Sequence, residues 1–141
     1  MDRGESQVDS LSRKTNNSTM ESAPPPRRIK SYSAATGYVY QYHFHQVQPV
    51  RCGLSFGNEY TYLVSADRKT SFPLRILVLR SAMERWARVN GRPLTGTEEY
   101  AAAKMRLFQA FDQTADLSAN QTDLIVDDSN LTELLAQLDI V

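Results

Sequence analysis

The sequence predicts a small α+β domain with two layers, in which a three-stranded antiparallel sheet (β-β-β) is followed by two helices packed on one face. Apolar and aromatic residues recur at every second position in three successive segments between residues 38 and 80, as in half-buried strands. Between residues 81 and 113 the apolar residues instead recur three and four positions apart, as in amphipathic helices. Helices that follow a sheet and bury an apolar face against it favour a two-layer sandwich.

The first strand is predicted over residues 38–47, "YVYQYHFHQV", where an aromatic residue stands at every second position as far as Phe44. Aromatic residues are enriched in strands. Pro49 and Gly53 are expected to end this strand, because proline cannot donate to a strand ladder and glycine weakens one. Residues 53–58, "GLSFGN", are therefore expected to form a loop.

Two more strands are predicted over residues 59–65, "EYTYLVS", and 72–80, "FPLRILVLR", which both alternate with period two. The segment between them, "ADRKTS", has the polar composition of a turn. Short connections between successive strands favour antiparallel pairing. The sequence therefore predicts a three-stranded meander.

The first helix is predicted to begin at Ser81, because Glu84 stands three residues further on, at the spacing of a capping box. Asn90 and Gly91 are expected to end it, since both residue types tolerate the left-handed conformation that closes many helices.

The second helix is predicted over residues 96–113. Thr95 and Glu98 repeat the capping-box spacing at its start. Its apolar residues recur at helical spacing from Tyr100 to Phe111, which indicates an amphipathic helix with one face toward the sheet.

The same periods predict which side chains face the core. On the sheet these are Tyr38, Tyr40, Tyr42, Phe44, Tyr60, Tyr62, Val64, Phe72, Leu74, Ile76 and Val78. On the helices they are Ala82, Met83, Trp86, Ala87, Val89, Tyr100, Ala103, Leu107, Phe108 and Phe111, with Ala102, Arg106 and Gln109 facing outward. The aromatic row of the first strand leaves an alternative open, a stacking platform for a base or a flat ligand.

The globular domain is expected to cover residues 31–113. Residues 1–30 are rich in Ser, Asn and charged residues and include three consecutive prolines, so they bury too little apolar surface to fold and are expected to be a disordered N-terminal arm. Residues 114–141 are expected to form an acidic tail with a short amphipathic helix, which is too short to be stable alone in water.

Charge is unevenly distributed in a chain whose formal net charge is zero. Residues 31–113 contain ten Lys or Arg and six Asp or Glu, a balance of +4, whereas residues 114–141 contain six acidic residues and no Lys or Arg. An acidic tail beside a basic body predicts either docking of the tail on the domain or two different binding surfaces.

A cytoplasmic location is expected. The single cysteine, Cys52, cannot form an internal disulfide, which fits a reducing compartment. No segment has the apolar run of a signal peptide or the length of a membrane span, so no contact with a membrane is expected.

Catalysis is not predicted. The sequence lacks G-x-S-x-G, a Gly-rich phosphate loop and His-Glu-x-x-His, so we expect a protein that is not an enzyme and has no catalytic residues, cofactor or metal. His43 and His45 lie two apart on the first predicted strand and should point to one side, with Cys52 further along the chain. These three residues lack the fourth ligand of a typical zinc site, so we expect solvent-exposed strand histidines.

The favoured function is a cytoplasmic protein-binding or regulatory module. Leu63, Leu77 and Leu79 are predicted to form an apolar patch on the sheet face that the helices leave open, and such patches usually mark an interface. A second set of candidate interface residues lies on the tail helix and comprises Leu131, Leu134, Leu135 and Leu138. Its "LTELL" stretch matches the Leu-x-x-Leu-Leu pattern of helices that enter hydrophobic grooves. The patch is left with three candidate occupants: the tail helix, a second copy in a homodimer, or an unknown protein partner.

The alternative function is weak nucleic-acid binding. Arg85, Arg88 and Arg92 are predicted to fall on one side of the first helix and its exit, where they could contact phosphates. Zero net charge and the acidic tail argue against strong binding.

Overall fold

A computed structural model describes residues 28–119 and 123–138, so the expected N-terminal arm lies almost entirely outside the described residues. The elements follow one another as β1 (Lys30–Ser33), β2 (Val39–Cys52), β3 (Ser55–Ser65), β4 (Phe72–Leu79), α1 (Arg80–Asn90), α2 (Gly96–Gln113), β5 (Leu124–Val126) and α3 (Leu131–Ala136). The α+β class is confirmed by this composition of elements.

The sheet has five strands in the order β1-β2-β3-β4-β5, so the prediction of a three-stranded antiparallel sheet is wrong. β1 to β4 pair antiparallel, whereas β5 pairs parallel to β4 and makes the sheet mixed. The two additional strands are only four and three residues long, too short to show a period in the sequence. β5 follows α1 and α2, which supply the long crossover that a parallel neighbour needs.

β2 and β3 are longer than predicted and form one hairpin. β2 continues through Pro49 to Cys52, and β3 begins at Ser55. Proline is tolerated there because β1 pairs only with residues 39–42, which leaves that edge of β2 open. Gly53 has a φ of 63°, as the first central residue of a type II′ turn requires. The predicted loop at 53–58 is therefore the tip of the hairpin and the start of β3.

The helix boundaries are confirmed except at the start of α1. Thr95 and Glu98 form the predicted capping box of α2, and Gly91 ends α1 with a φ of 76°. The capping box predicted at Ser81 and Glu84 is wrong, because α1 begins at Arg80, directly after β4, and no side chain caps it. Ser81 therefore lies within the first helical turn.

The core is built from the predicted inward face of the sheet. The buried strand residues are Tyr40, Tyr42, Tyr60, Tyr62, Val64, Leu74, Ile76 and Val78. The helices add Ala82, Trp86, Ala102, Ala103, Leu107, Ala110 and Phe111. The Tyr40 and Phe111 rings stack with their centroids 4.6 Å apart and an interplanar angle of 13°. The middle of the aromatic row is thus core packing, which excludes an open stacking platform there.

Two predictions of helix orientation are wrong. Val89 on α1 is 76% exposed, because α1 turns Ala82 and Trp86 inward and Val89 lies off that side. Ala102 on α2 is fully buried rather than outward. The reason is that β5 and α3 also pack against α2, so α2 buries a wider stripe than a sheet alone would cover.

The C-terminal segment belongs to the same core. Leu124 and Val126 of β5 are buried beside β4, and the inward leucines of α3 are buried against α1 and α2. Within the described stretches of the chain, none of the helices has both the length and the apolar character that a membrane crossing requires.

Candidate protein-interaction site

The leucines predicted on the tail helix lie in the core rather than on the surface. Leu131, Leu134 and Leu135 are at most 2% exposed, and only Leu138 reaches solvent, at 36%. The "LTELL" stretch therefore serves the chain's own interior in this structure. The tail helix α3 packs on α1 and α2, so it does not occupy the predicted leucine patch on the outer face of the sheet.

The predicted leucine patch on the outer sheet face is interrupted. Leu63, Leu77 and Leu79 are all half-buried, and Leu79 packs against the core. Leu77 is paired with Ile125 of β5, which is 39% exposed, but exposed Arg75 stands between Leu77 and the neighbourhood of Leu63. The structure thus brings Leu77 to a partner that was not predicted and separates it from Leu63.

Several more exposed apolar side chains lie on the outer half of the β2–β3 hairpin. Together with two arginines they make the hairpin patch, which we define by Val47, Leu54, Phe56, Arg51 and Arg80. The three apolar side chains are 47%, 93% and 43% exposed, respectively. Leu54 and Phe56 lie at the turn, whereas Val47 pairs with Tyr60 further along the hairpin. Exposed apolar patches usually mark interfaces.

The hairpin end projects because its neighbouring strands stop early. β1 covers β2 only as far as Tyr42, and β4 pairs with β3 only as far as Gly57, opposite Leu79. A Cβ at Gly57 would overlap the Val78 carbonyl oxygen, so glycine permits the close approach of β4 at this point. Beyond these points the hairpin has no flanking strand among the described residues.

Two arginines hold the aromatic centre of the hairpin patch. The guanidinium carbon of Arg51 lies 5.5 Å from the Phe56 ring centroid, and that of Arg80 lies 5.1 Å from it. Arg51 Nε also donates a hydrogen bond of 3.0 Å to the Gly53 carbonyl oxygen, which ties its side chain to the turn. Neither guanidinium pairs with a carboxylate within residues 28–119 and 123–138. The patch therefore presents an apolar centre with two arginines that form no ion pair with a described residue, and Glu84 lines the same recess as Arg80.

The three arginines of the nucleic-acid alternative do not act as one group. Arg85 and Arg88 are exposed on α1. Arg92 instead makes a bidentate pair with Glu98, at 2.8 Å for each hydrogen bond, and its guanidinium carbon lies 5.0 Å from the Trp86 ring centroid. The hydrogen bonds from Arg92, together with the Thr95 backbone amide, lower the pKa of Glu98 to about 2. Arg92 is thus already neutralised by a carboxylate.

The histidine pair lies at an irregular point of β2. The pairing of β2 with β3 shifts between Phe44 and Gln46, which leaves His45 as the extra residue of a β-bulge. The strict alternation behind the prediction that His43 and His45 share a side is therefore broken. Among the residues that the structure describes, no group of three His, Cys, Asp or Glu side chains is placed to hold a metal ion.

The hairpin patch was missed by the sequence analysis although one signal for it was present. Val47, Pro49 and Arg51 continue the alternation of β2, and Gly53 with Leu54 makes a two-residue turn before Phe56. Because proline usually ends a strand, the sequence predicts that the strand stops at Pro49 and gives no hairpin there.

No model of a protein family matches the sequence, no curated protein matches it, and no solved structure matches the chain. Among the surfaces described above, the hairpin patch combines the most exposed large apolar side chain, Leu54, with two arginines that form no ion pair within residues 28–119 and 123–138.

Proposed function

We propose that this chain is a non-catalytic, cytoplasmic protein-binding or regulatory module whose partner contacts the hairpin patch. The observation that supports the proposal is the exposure of Val47, Leu54 and Phe56 on the outer half of the hairpin, where Arg51 and Arg80 lie over the Phe56 ring. Aromatic residues and arginine are enriched at the energetic centres of protein interfaces. A cluster of these residue types on an otherwise polar projection is what a docking site for a protein needs.

The partner's chemistry follows from the charges of the patch. Arg51 and Arg80 face solvent without a carboxylate partner among the described residues, so they favour a partner with acidic side chains. Leu54 and Phe56 favour apolar side chains between those acids. We therefore propose a partner segment in which acidic and apolar residues are interspersed.

The size of the contact is expected to exceed the patch itself. A standard interface covers about 800 Å² on each partner, or about 20 to 30 residues. The exposed start of α1, which includes Ser81 and Glu84, adjoins Arg80 and can extend the contact. A partner limited to the five patch residues would bind only transiently.

The test is selection from a peptide display library with the full chain as bait. We expect the enriched peptides to contain Asp or Glu around Leu, Phe or Trp. Their binding should be lost in the double variant Leu54→Ser, Phe56→Ser and retained in the control Leu138→Ser, which changes an exposed leucine elsewhere. Circular dichroism should show that both variants remain folded. Enriched peptides that bind the double variant as well as the wild type would contradict the proposal.

Two other experimental outcomes would point to a different partner. Self-association of the wild type that is abolished in the double variant would make the partner a second copy of this chain. Binding of an oligonucleotide that weakens steeply with salt and is lost in Arg85→Ala, Arg88→Ala would favour the nucleic-acid alternative.

A further inference from the structure

A second recess, which we call the basic aromatic pocket, opens between β1, β2, β3 and α2. It encloses about 230 Å³. Three cationic residues line it, Arg28, Lys30 and Lys104. Four aromatic residues, Tyr42, Phe44, Tyr62 and Tyr100, and the imidazole of His43 form its remaining walls. No carboxylate is among the described residues that line it.

Among the described residues that line this pocket, the charged side chains are all cationic. Within the described part of the chain, no carboxylate pairs with Arg28, Lys30 or Lys104. Lys104 Nζ lies 5.9 Å from the Tyr42 ring centroid, so its ammonium group rests against the aromatic wall. Burial, followed by the proximity of Lys30, lowers the pKa of Lys104. Two neighbouring ammonium groups that share a partly desolvated site repel each other, and an anion between them would relieve that repulsion.

Tyr62, in the wall of the pocket, has a buried hydroxyl. Tyr62 is 1% exposed, and among the described residues no hydrogen bond from its hydroxyl meets ordinary geometry. The Tyr100 ring lies beside it with the ring centroids 6.5 Å apart, and burial together with the neighbouring Tyr100 phenol raises the pKa of Tyr62. Other inward tyrosines do find partners, because the Tyr32 hydroxyl donates to Asp112 and the Tyr60 hydroxyl donates to Glu99. A buried polar group without a partner is costly, and such groups are rare in native proteins.

We propose that the basic aromatic pocket binds a compact organic anion with a planar apolar body, such as an aryl phosphate or an aromatic carboxylate. The acidic group is held by Lys30, Lys104 and Arg28, which line the pocket. The planar body packs against the Phe44 and Tyr100 rings, whose centroids are 5.5 Å apart with an interplanar angle of 83°.

The size of the pocket restricts the ligand to a small molecule. Pockets for drug-sized ligands typically enclose about 300 to 1,000 Å³, and this one is smaller. A single ring with one acidic group matches it better than a nucleotide or a peptide. The pocket shares no lining residue with the hairpin patch, so the two proposals can fail independently.

The test is a titration of the full ¹⁵N-labelled chain with three probes, in which binding is measured from the amide chemical shifts. Phenyl phosphate carries both the ring and the charge, benzyl alcohol only the ring, and inorganic phosphate only the charge. We expect phenyl phosphate to bind at least about tenfold more tightly than either control and to shift amides that line the pocket, including those of Lys30, Phe44 and Tyr100. Equal binding of inorganic phosphate, or shifts elsewhere, would overturn the proposal.

Matched variants test whether the named side chains make the site. Lys104→Met keeps an apolar stem and removes the charge, and it should weaken phenyl phosphate binding about ten- to hundredfold, as the loss of a charge-assisted contact does. Lys69→Met removes a lysine from an exposed turn and should leave the affinity unchanged. If Lys104→Met does not fold, Lys30→Met replaces it, since Lys30 is exposed. An equal loss in Lys69→Met would show diffuse attraction instead of a site and would overturn the proposal.

Discussion

Substitution of Leu134 by alanine tests whether α3 belongs to the folded core. Leu134 has no exposed surface and lies among the buried leucines of α3, where the helix packs on α1 and α2. Replacing a buried leucine with alanine costs about 2.7 to 5 kcal/mol, from the lost transfer free energy and the cavity that remains. α3 has only six residues and can partly relax into the space, so we expect a loss of about 3 kcal/mol in the free energy of unfolding.

The assay is urea unfolding of the full chain, followed by circular dichroism. The slope of the free energy with denaturant should stay constant, because a pure loss of stability shifts the midpoint alone. Thr132→Ala is the matched control, since Thr132 is exposed on the same helix and its loss should change stability by less than about 0.5 kcal/mol. A Leu134→Ala variant as stable as this control would show that α3 does not dock in solution, and the assignment of the tail to the core would be wrong.

Three further predictions concern the strand contact, the salt bridge and the unpaired hydroxyl. Gly57→Ala should cost about 1 to 3 kcal/mol in thermal or urea unfolding because its Cβ would overlap backbone, whereas Gly96→Ala, whose Cβ meets nothing within 4 Å, should not. The Glu98 carboxyl should titrate near pH 2 by NMR, below its usual pKa of 4.5. Because folding lowers this pKa, the contribution of Glu98 to stability should be present above pH 4.5 and should be lost as the pH falls toward 2. A titration at the usual pKa would refute the bidentate pair with Arg92. Tyr62→Phe should leave the free energy of unfolding unchanged or raise it by about 1 kcal/mol. Tyr60→Phe removes a hydrogen-bond donor to the Glu99 carboxylate and should lower it by about 1 kcal/mol. Equal losses in the two variants would show that the Tyr62 hydroxyl is paired.

Elements with a signal in contiguous residues could be predicted from the sequence. The alternation in β2, β3 and β4 identified most of the inward side chains, because period two reflects backbone geometry. Phe44 is an exception: it was predicted to face the core but is 37% exposed, next to the bulge of β2. The start of α2 was predicted for a similar reason, since Thr95 and Glu98 satisfy backbone groups only three residues apart.

Elements that depend on distant parts of the chain could not be predicted. β1 and β5 have four and three residues, and each exists because a longer strand lies beside it. The burial of Ala102 and α3 likewise follows from how the C-terminal segment returns to α2. At the candidate site, the hairpin could not be predicted, because a proline fits within a strand only at an open edge. Whether that edge of β2 is open depends on where β1 ends.

The most direct test of the proposed function is a map of where a selected acidic and apolar peptide binds. The ¹⁵N-labelled full chain would be titrated with that peptide, and amide shifts would be followed at each residue. We expect saturable changes at Val47 to Phe56 and at Arg80, and none at the exposed arginines of α1, Arg85 and Arg88. Changes centred on those two arginines or on the basic aromatic pocket, with the hairpin end unaffected, would contradict the claim that the hairpin patch is the docking site.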